Sequence, residues 1–134
     1  MSVKVIYEPN KGLYQVKDQT GGISIEGGRL SAGDISVKKS LNLSIVTKTS
    51  NYSIGDESVI FGDASSGKIT FTLPNANNLL SGTMKRIKKI DNTNNLLVLS
   101  GTTGQNIDGV QAKEFSIPYT SLTLITSGSN WFIL

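Results

Sequence analysis

The 134-residue chain contains no cysteine and no histidine, and only four alanines, three prolines, two methionines and one tryptophan. Without histidine there is no Ser-His-Asp or Cys-His nucleophile system, and without either residue no ordinary zinc, copper or haem site. Disulfide and thiol redox roles go with the cysteines. No cofactor is therefore expected, and no enzymatic activity that depends on those groups. Cysteine-free chains occur in reducing and oxidising compartments alike, so this absence does not assign one. No run of 18 apolar residues exists, and the opening MSVKVIYEPNKG has no apolar stretch after its lysine. Neither an ordinary signal peptide nor membrane insertion is expected.

What is present points to strands. Ser, Thr, Asn and Gly supply 54 residues, and the β-branched Ile, Val and Thr supply 34. The first group makes turns, the second prefers a pleated surface, and the scarcity of alanine disfavours helices. The expectation is an all-β protein. Glycine crowds the first 45 residues, where Gly21-Gly22, Gly27-Gly28 and Gly33 isolate the short pieces Ile23-Ser24-Ile25 and Ile35-Ser36-Val37. Pieces this short do not form a stable sheet alone. Residues 1–45 are therefore read as an N-terminal β adaptor or shaft, completed by neighbouring chains or by the second half of the molecule.

Residues 46–134 are read as a separate β-domain. Alternating segments occur at Val59–Phe61, Lys68–Leu73, Leu96–Leu99, Phe115–Ile117 and Leu122–Ile125, separated by turn clusters. Their spacing is that of a short-stranded β-sandwich or barrel. Pro74 and Gly82 bracket the one short helical turn expected. The apolar Trp131-Phe132-Ile133-Leu134 suits a strand paired within a sheet or an interface between chains.

Several motifs have a structural reading beside a chemical one. Gly62-Asp63-Ala64-Ser65-Ser66-Gly67-Lys68 approaches a phosphate-binding loop, but Ile69 stands where the Ser or Thr for Mg²⁺ belongs, and a strand pattern follows. A hairpin loop is the better expectation. Met84–Ile90 holds Lys85, Arg86, Lys88 and Lys89, four of the thirteen basic residues. These are the candidates for contact with an anionic surface, against the plainer reading of a solvated strand face with Ile87 and Ile90 inward. No aromatics accompany them for base stacking, so no nucleic-acid partner is expected. Asp56, Glu57, Asp63, Asp91 and Asp108 could supply a hydrolytic carboxylate pair, but each sits in a turn context that commonly occupies the side chain.

In order, Tyr52-Ser53-Ile54, Ile69 to Ala76, Ile87-Lys88-Lys89-Ile90-Asp91, Ile107-Asp108-Gly109, Tyr119 to Ile125 and Gly128 to Ile133 form a recognisable series. It resembles a distal β-module of tail fibres, head fibres and related appendages of tailed bacteriophages and some large DNA viruses, and covers Tyr52 to Leu134. The resemblance implies a virion structural protein made in the host cytoplasm. Such a protein is commonly homotrimeric, attached to other virion proteins through its N-terminal segment and facing the host with its β-domain. It carries over no catalytic residues. Ile35, Val37, Leu41, Leu43, Ile45, Trp131, Phe132, Ile133 and Leu134 are the candidates for a trimer interface. A capsid decoration or stabilisation protein, a carbohydrate-binding module using Tyr52, Tyr119 or Trp131 against a host-surface glycan, and a polysaccharide hydrolase are the alternatives.

Overall fold

A computed structural model describes residues 6–8, 12–14, 34–37 and 39–134. The chain divides into two compact units, Met1–Ser40 and Leu41–Leu134. In the first, β1 (Ile6–Glu8) and β2 (Gly12–Tyr14) pair antiparallel. Of the two short pieces expected to be strands, Ile23-Ser24-Ile25 lies outside the described residues, while Ile35-Ser36-Val37 is described and forms no strand, with no pairing partner among the described residues.

The second unit is all-β, and its path is a winding one. Strands β3 (Ile45–Lys48), β5 (Val59–Gly62) and β7 (Met84–Lys89) run parallel in one sheet. Strands β4 (Tyr52–Ser53), β6 (Ile69–Thr72) and β8 (Leu97–Ser100) run parallel in a second sheet. From β3 to β8 the chain alternates between the two, so consecutive strands in this stretch are not paired and each turn of the winding stacks on the one before. After β8 it reverses. β9 (Ala112–Phe115) adds antiparallel to β8, while β10 (Ser121–Thr126) and β11 (Trp131–Ile133) add antiparallel beyond β7. The result is a five-stranded sheet in the order β11-β10-β7-β5-β3 and a four-stranded sheet in the order β4-β6-β8-β9.

Both sheets are mixed, and neither closes into a barrel. The segment Gly62–Lys68 is accordingly not a hairpin loop: it is a corner carrying the chain from one sheet to the other. Parallel neighbours need a crossover rather than a tight turn, and here the opposite sheet supplies it.

The sheets face each other across one core. Ile60, Ile87, Leu124 and Trp131 from the larger sheet meet Ile69, Phe71, Leu97 and Leu99 from the smaller. Gly62 points inward on β5, where a Cβ would stand 2.3 Å from Leu97 Cδ1 and 2.9 Å from Phe71 Cε2. A side chain there would compete with the facing sheet for the same space.

Between β6 and β7 the helical expectation resolves into one 3₁₀ turn, Ala76–Asn78. Asn75 Oδ1 accepts from Asn77 N at 2.9 Å and from Gln105 Nε2 at 2.8 Å, and buried Ala76 donates its N–H to Gln105 Oε1 at 2.9 Å. A turn this short leaves its amides to side chains. The strand expected at Phe115–Ile117 lies earlier, at Ala112–Phe115, because it is set by its pairing with β8. Asp108 (φ 46°) and Gly109 (φ 82°) form the two-residue turn of a narrow loop in which Ile107 and Val110 exchange backbone hydrogen bonds. Asp-Gly suits those left-handed angles.

Candidate functional site

Strand alternation sorts the residues of the five-stranded sheet into an inner and an outer set. On β7, Lys85, Ile87 and Lys89 are buried, while Met84 and Arg86 are exposed. On β11, Trp131 is fully buried and its Nε1 donates to Pro74 O at 3.2 Å, while Phe132 remains exposed. Two of the four basic candidates, Lys85 and Lys89, and Trp131 among the interface candidates are thereby removed from the surface.

Lys85 and Lys89 therefore do not contact an external anion. Lys85 Nζ donates to the carbonyls of Gly55 and Glu57, both at 2.7 Å. Burial lowers its pKa, opposed by the charges of Glu57 and Asp56. Lys89 is 0% exposed and bonds to Asp91 Oδ1 and, at 2.7 Å, to Thr93 O. Asp91 also accepts from the amides of Ala64 (2.8 Å) and Thr93 (3.0 Å) and from the Thr93 hydroxyl (2.5 Å). Burial pushes its carboxyl up, but Lys89, the Thr93 hydroxyl and the two amides pull harder, and hold it well below the usual carboxylate range. This cluster ties the corner after β7 to the corner after β5, so its charge holds the winding together. Arg86 and Lys88 remain outward, and Lys88 Nζ donates to Tyr119 O.

Of the other candidate carboxylates, Asp63 accepts from Ser65 N and Glu57 from Gly55 N within their own turns, while Asp108 accepts from Ile133 N on β11. Burial pushes Glu57 up, yet its own amide, the Gly55 amide, the Tyr52 hydroxyl and Lys85 bring it below its ordinary value. Among the described residues no group of three acidic side chains gathers as a metal site would require.

The outer face of the five-stranded sheet is the most distinctive surface of the unit. Register places Met84, Ile125 and Phe132 in one cross-strand row, and Ile45, Val59, Arg86 and Thr123 in the next, which Leu134 extends through its N–H bond to Thr123 O. Leu41 and Leu43 border the same face, where with Ser58, Thr83, Met84 and Arg86 they line an apolar groove of about 340 Å³. Leu41, Leu43, Ile45, Met84, Phe132 and Leu134 are 41–73% exposed. At about 150 Å² per fully solvated large side chain, roughly 500 Å² of apolar surface faces outward, the upper end of what monomers leave uncovered.

Of the interface candidates named from sequence, Leu41, Leu43, Ile45, Phe132 and Leu134 share this face. Trp131 and Ile133 point inward, Trp131 into the core and Ile133 packed against it. Ile35 and Val37 belong to the first unit and are exposed there. Met84, Val59 and Ile125 were missed. Each reads as an ordinary strand position, and only the register across β5, β7, β10 and β11 aligns them.

A second, polar depression of about 250 Å³ lies among Thr49, Ser50, Asn51, Ser66, Gly67, Lys68 and Ile69, between successive corners. Of the aromatic residues considered for sugar stacking, Trp131 is buried, Tyr52 is half-buried edge-on to Phe71 beneath Lys48 Nζ, and Tyr119 is exposed. In comparisons with known proteins, no family model matches the chain and no curated protein matches it significantly.

Proposed function

We propose that the chain is a virion structural protein, a short trimeric fibre or appendage of a tailed bacteriophage or large DNA virus. The observation that carries this reading is the apolar outer face of the five-stranded sheet, where six of the second unit's ten exposed large apolar side chains gather. A surface of that kind marks an assembly site. At about 25 cal/mol per Å², covering roughly 500 Å² contributes on the order of 12 kcal/mol per copy, comparable with the 4–15 kcal/mol cost of association. The motif series that resembles the appendage module supports the same reading. Its segments fall on β4, β6 and β7 of the winding and on the Ile107–Val110 turn, β10 and β11 that follow it.

On this reading the N-terminal unit attaches to the particle, and the protein, made in the host cytoplasm, ends in the virion. Contact with a host-surface glycan is a second role, favoured by the polar corner depression with its hydroxyl, amide and Lys68 groups. Light scattering of the full chain tests the assembly. A mass of three chains of 14.3 kDa that persists on dilution is expected, and a persistent monomer refutes the trimeric appendage. Glycan-array binding competed by free sugar would separate a receptor-binding tip from a purely structural or capsid-decorating role.

A further inference from the structure

The winding has an open end. Its first turn, β3 and β4, supplies the outermost strand of each sheet there, and among the described residues no strand pairs with the outer edge of either. Open edges are a template for strands of another molecule, and natural sheets blunt them. On the opposite edges, β9 carries Lys113 and Glu114, and β11 is bridged by Ile107. At the open end β4 is only two residues long, which leaves β3 as the edge to be closed.

Parallel register puts Lys48, Gly62 and Lys89 in one cross-strand row. The row faces inward: a Cβ on Gly62 would meet Leu97 and Phe71, and Lys89 is fully buried. A charge in such a row is paired or stays at the rim. Lys89 is paired with Asp91. Among the described residues no carboxylate pairs with Lys48. Its Nζ lies instead 4.2 Å from the ring centroid of Tyr52 on β4, and that ring stands edge-on to Phe71 of the core. Lys48 therefore reaches from the edge of one sheet to the edge of the other, across the open end.

We propose that Lys48 is a stop: its charge, seated on Tyr52 between the two edges, bars a second copy of this chain from extending both sheets at this end. A second copy is the partner to be barred, because its own end offers two edges at the same separation. A copy docked there would take the ammonium out of water with no carboxylate to receive it, a burial that proteins avoid. In a two-fold contact the end faces itself, so the two Lys48 side chains would enter one interface and repel. Lys89 shows the contrast within the same row: the same side chain is tolerated inside because Asp91 accompanies it.

Lys48→Met keeps the length of the side chain and its contact with the Tyr52 ring while removing the charge, and Lys48→Arg keeps the charge. Light scattering of the full chains over a concentration series compares each with the wild type, whatever number of copies the wild type holds, so the result is independent of the trimeric reading. Lys48→Met is expected to form, as concentration rises, a species of about twice the wild-type mass, while Lys48→Arg keeps the wild-type mass throughout. Lys48→Thr, a second neutral variant with good strand propensity, is expected to double likewise, and decides the matter if circular dichroism shows that Lys48→Met has lost its fold. Wild-type mass at every concentration for a folded neutral variant overturns the proposal. Doubling of Lys48→Arg overturns it too, since charge would then not be the bar. Hydrogen exchange locates the new contact: the amides of β3 and β4 are expected to slow in the doubled species, and slowing confined to other strands overturns the assignment to this end.

Discussion

Replacing Asp91 with asparagine keeps the volume of the side chain and removes its charge, leaving Lys89 buried with a cation and no counter-ion. Lys89 is 0% exposed, and its other partner is the carbonyl of Thr93. Losing one member of a buried pair costs about 3–5 kcal/mol, because the other charge has already left water. The asparagine amide group also meets a cluster in which every partner is a donor: the Ala64 and Thr93 amides, the Thr93 hydroxyl and the Lys89 ammonium. Only one of its two side-chain heteroatoms can accept. The upper half of the range is therefore expected. For a unit of 94 residues, Leu41–Leu134, a loss of about 4 kcal/mol lowers Tm by roughly 16–32 °C. Urea unfolding followed by tryptophan fluorescence reads it directly, since the single tryptophan is a core residue. Protein concentration must be held constant, because self-association adds to apparent stability. The double variant Lys89→Met/Asp91→Asn removes the stranded charge and should recover more than half of the loss. A single-variant loss below about 1 kcal/mol would refute the view that this ion pair holds the two corners together, since the penalty for an unpaired buried charge is several times larger.

Two further outcomes follow from the same core. Gly62→Ala places a methyl group against Leu97 and Phe71 and should cost about 1–3 kcal/mol in urea unfolding, as overpacking does; an unchanged midpoint would mean that the facing sheet can retreat. Asp91 and Glu57 both titrate below their ordinary values in the fold, so the unfolded chain binds protons first as pH falls. Their contribution is complete above the unfolded pKa near 4 and is lost as pH drops through the folded values. Tm should be level above about pH 5 and fall below about pH 4, less steeply in Asp91→Asn; a level Tm down to pH 3 would contradict it.

The positions of β5, β6, β8 and β10 were legible because apolar patterning is a local property. Ile69–Leu73 carries an apolar side chain every second residue, Leu122–Ile125 begins the same way, and Val59–Phe61 is a short continuous apolar run. Pairing was not legible. A strand's own pattern does not record whether its neighbour is the next segment or the one after, and the eight-to-twelve-residue spacing that suggests a sandwich fits a two-sheet winding equally well. The basic segment Met84–Lys89 was misread for a related reason. A lysine at an inward position reads as surface until the carbonyls of Gly55, Glu57 and Thr93 and the carboxylate of Asp91 are brought to it from other corners.

The sequence by itself therefore determined the all-β character, the absence of histidine and cysteine chemistry, and the supply of apolar residues at Leu41, Leu43, Ile45 and Trp131–Leu134. Tertiary structure alone decided which of those apolar residues are core and which are surface. Period-two alternation splits Trp131 and Ile133 from Phe132 and Leu134 once β11 has a register on β10. Register is set by long-range backbone pairing and by which face the opposite sheet covers. The outer apolar face exists only as a consequence of that choice, made jointly by five strands that are distant in the chain.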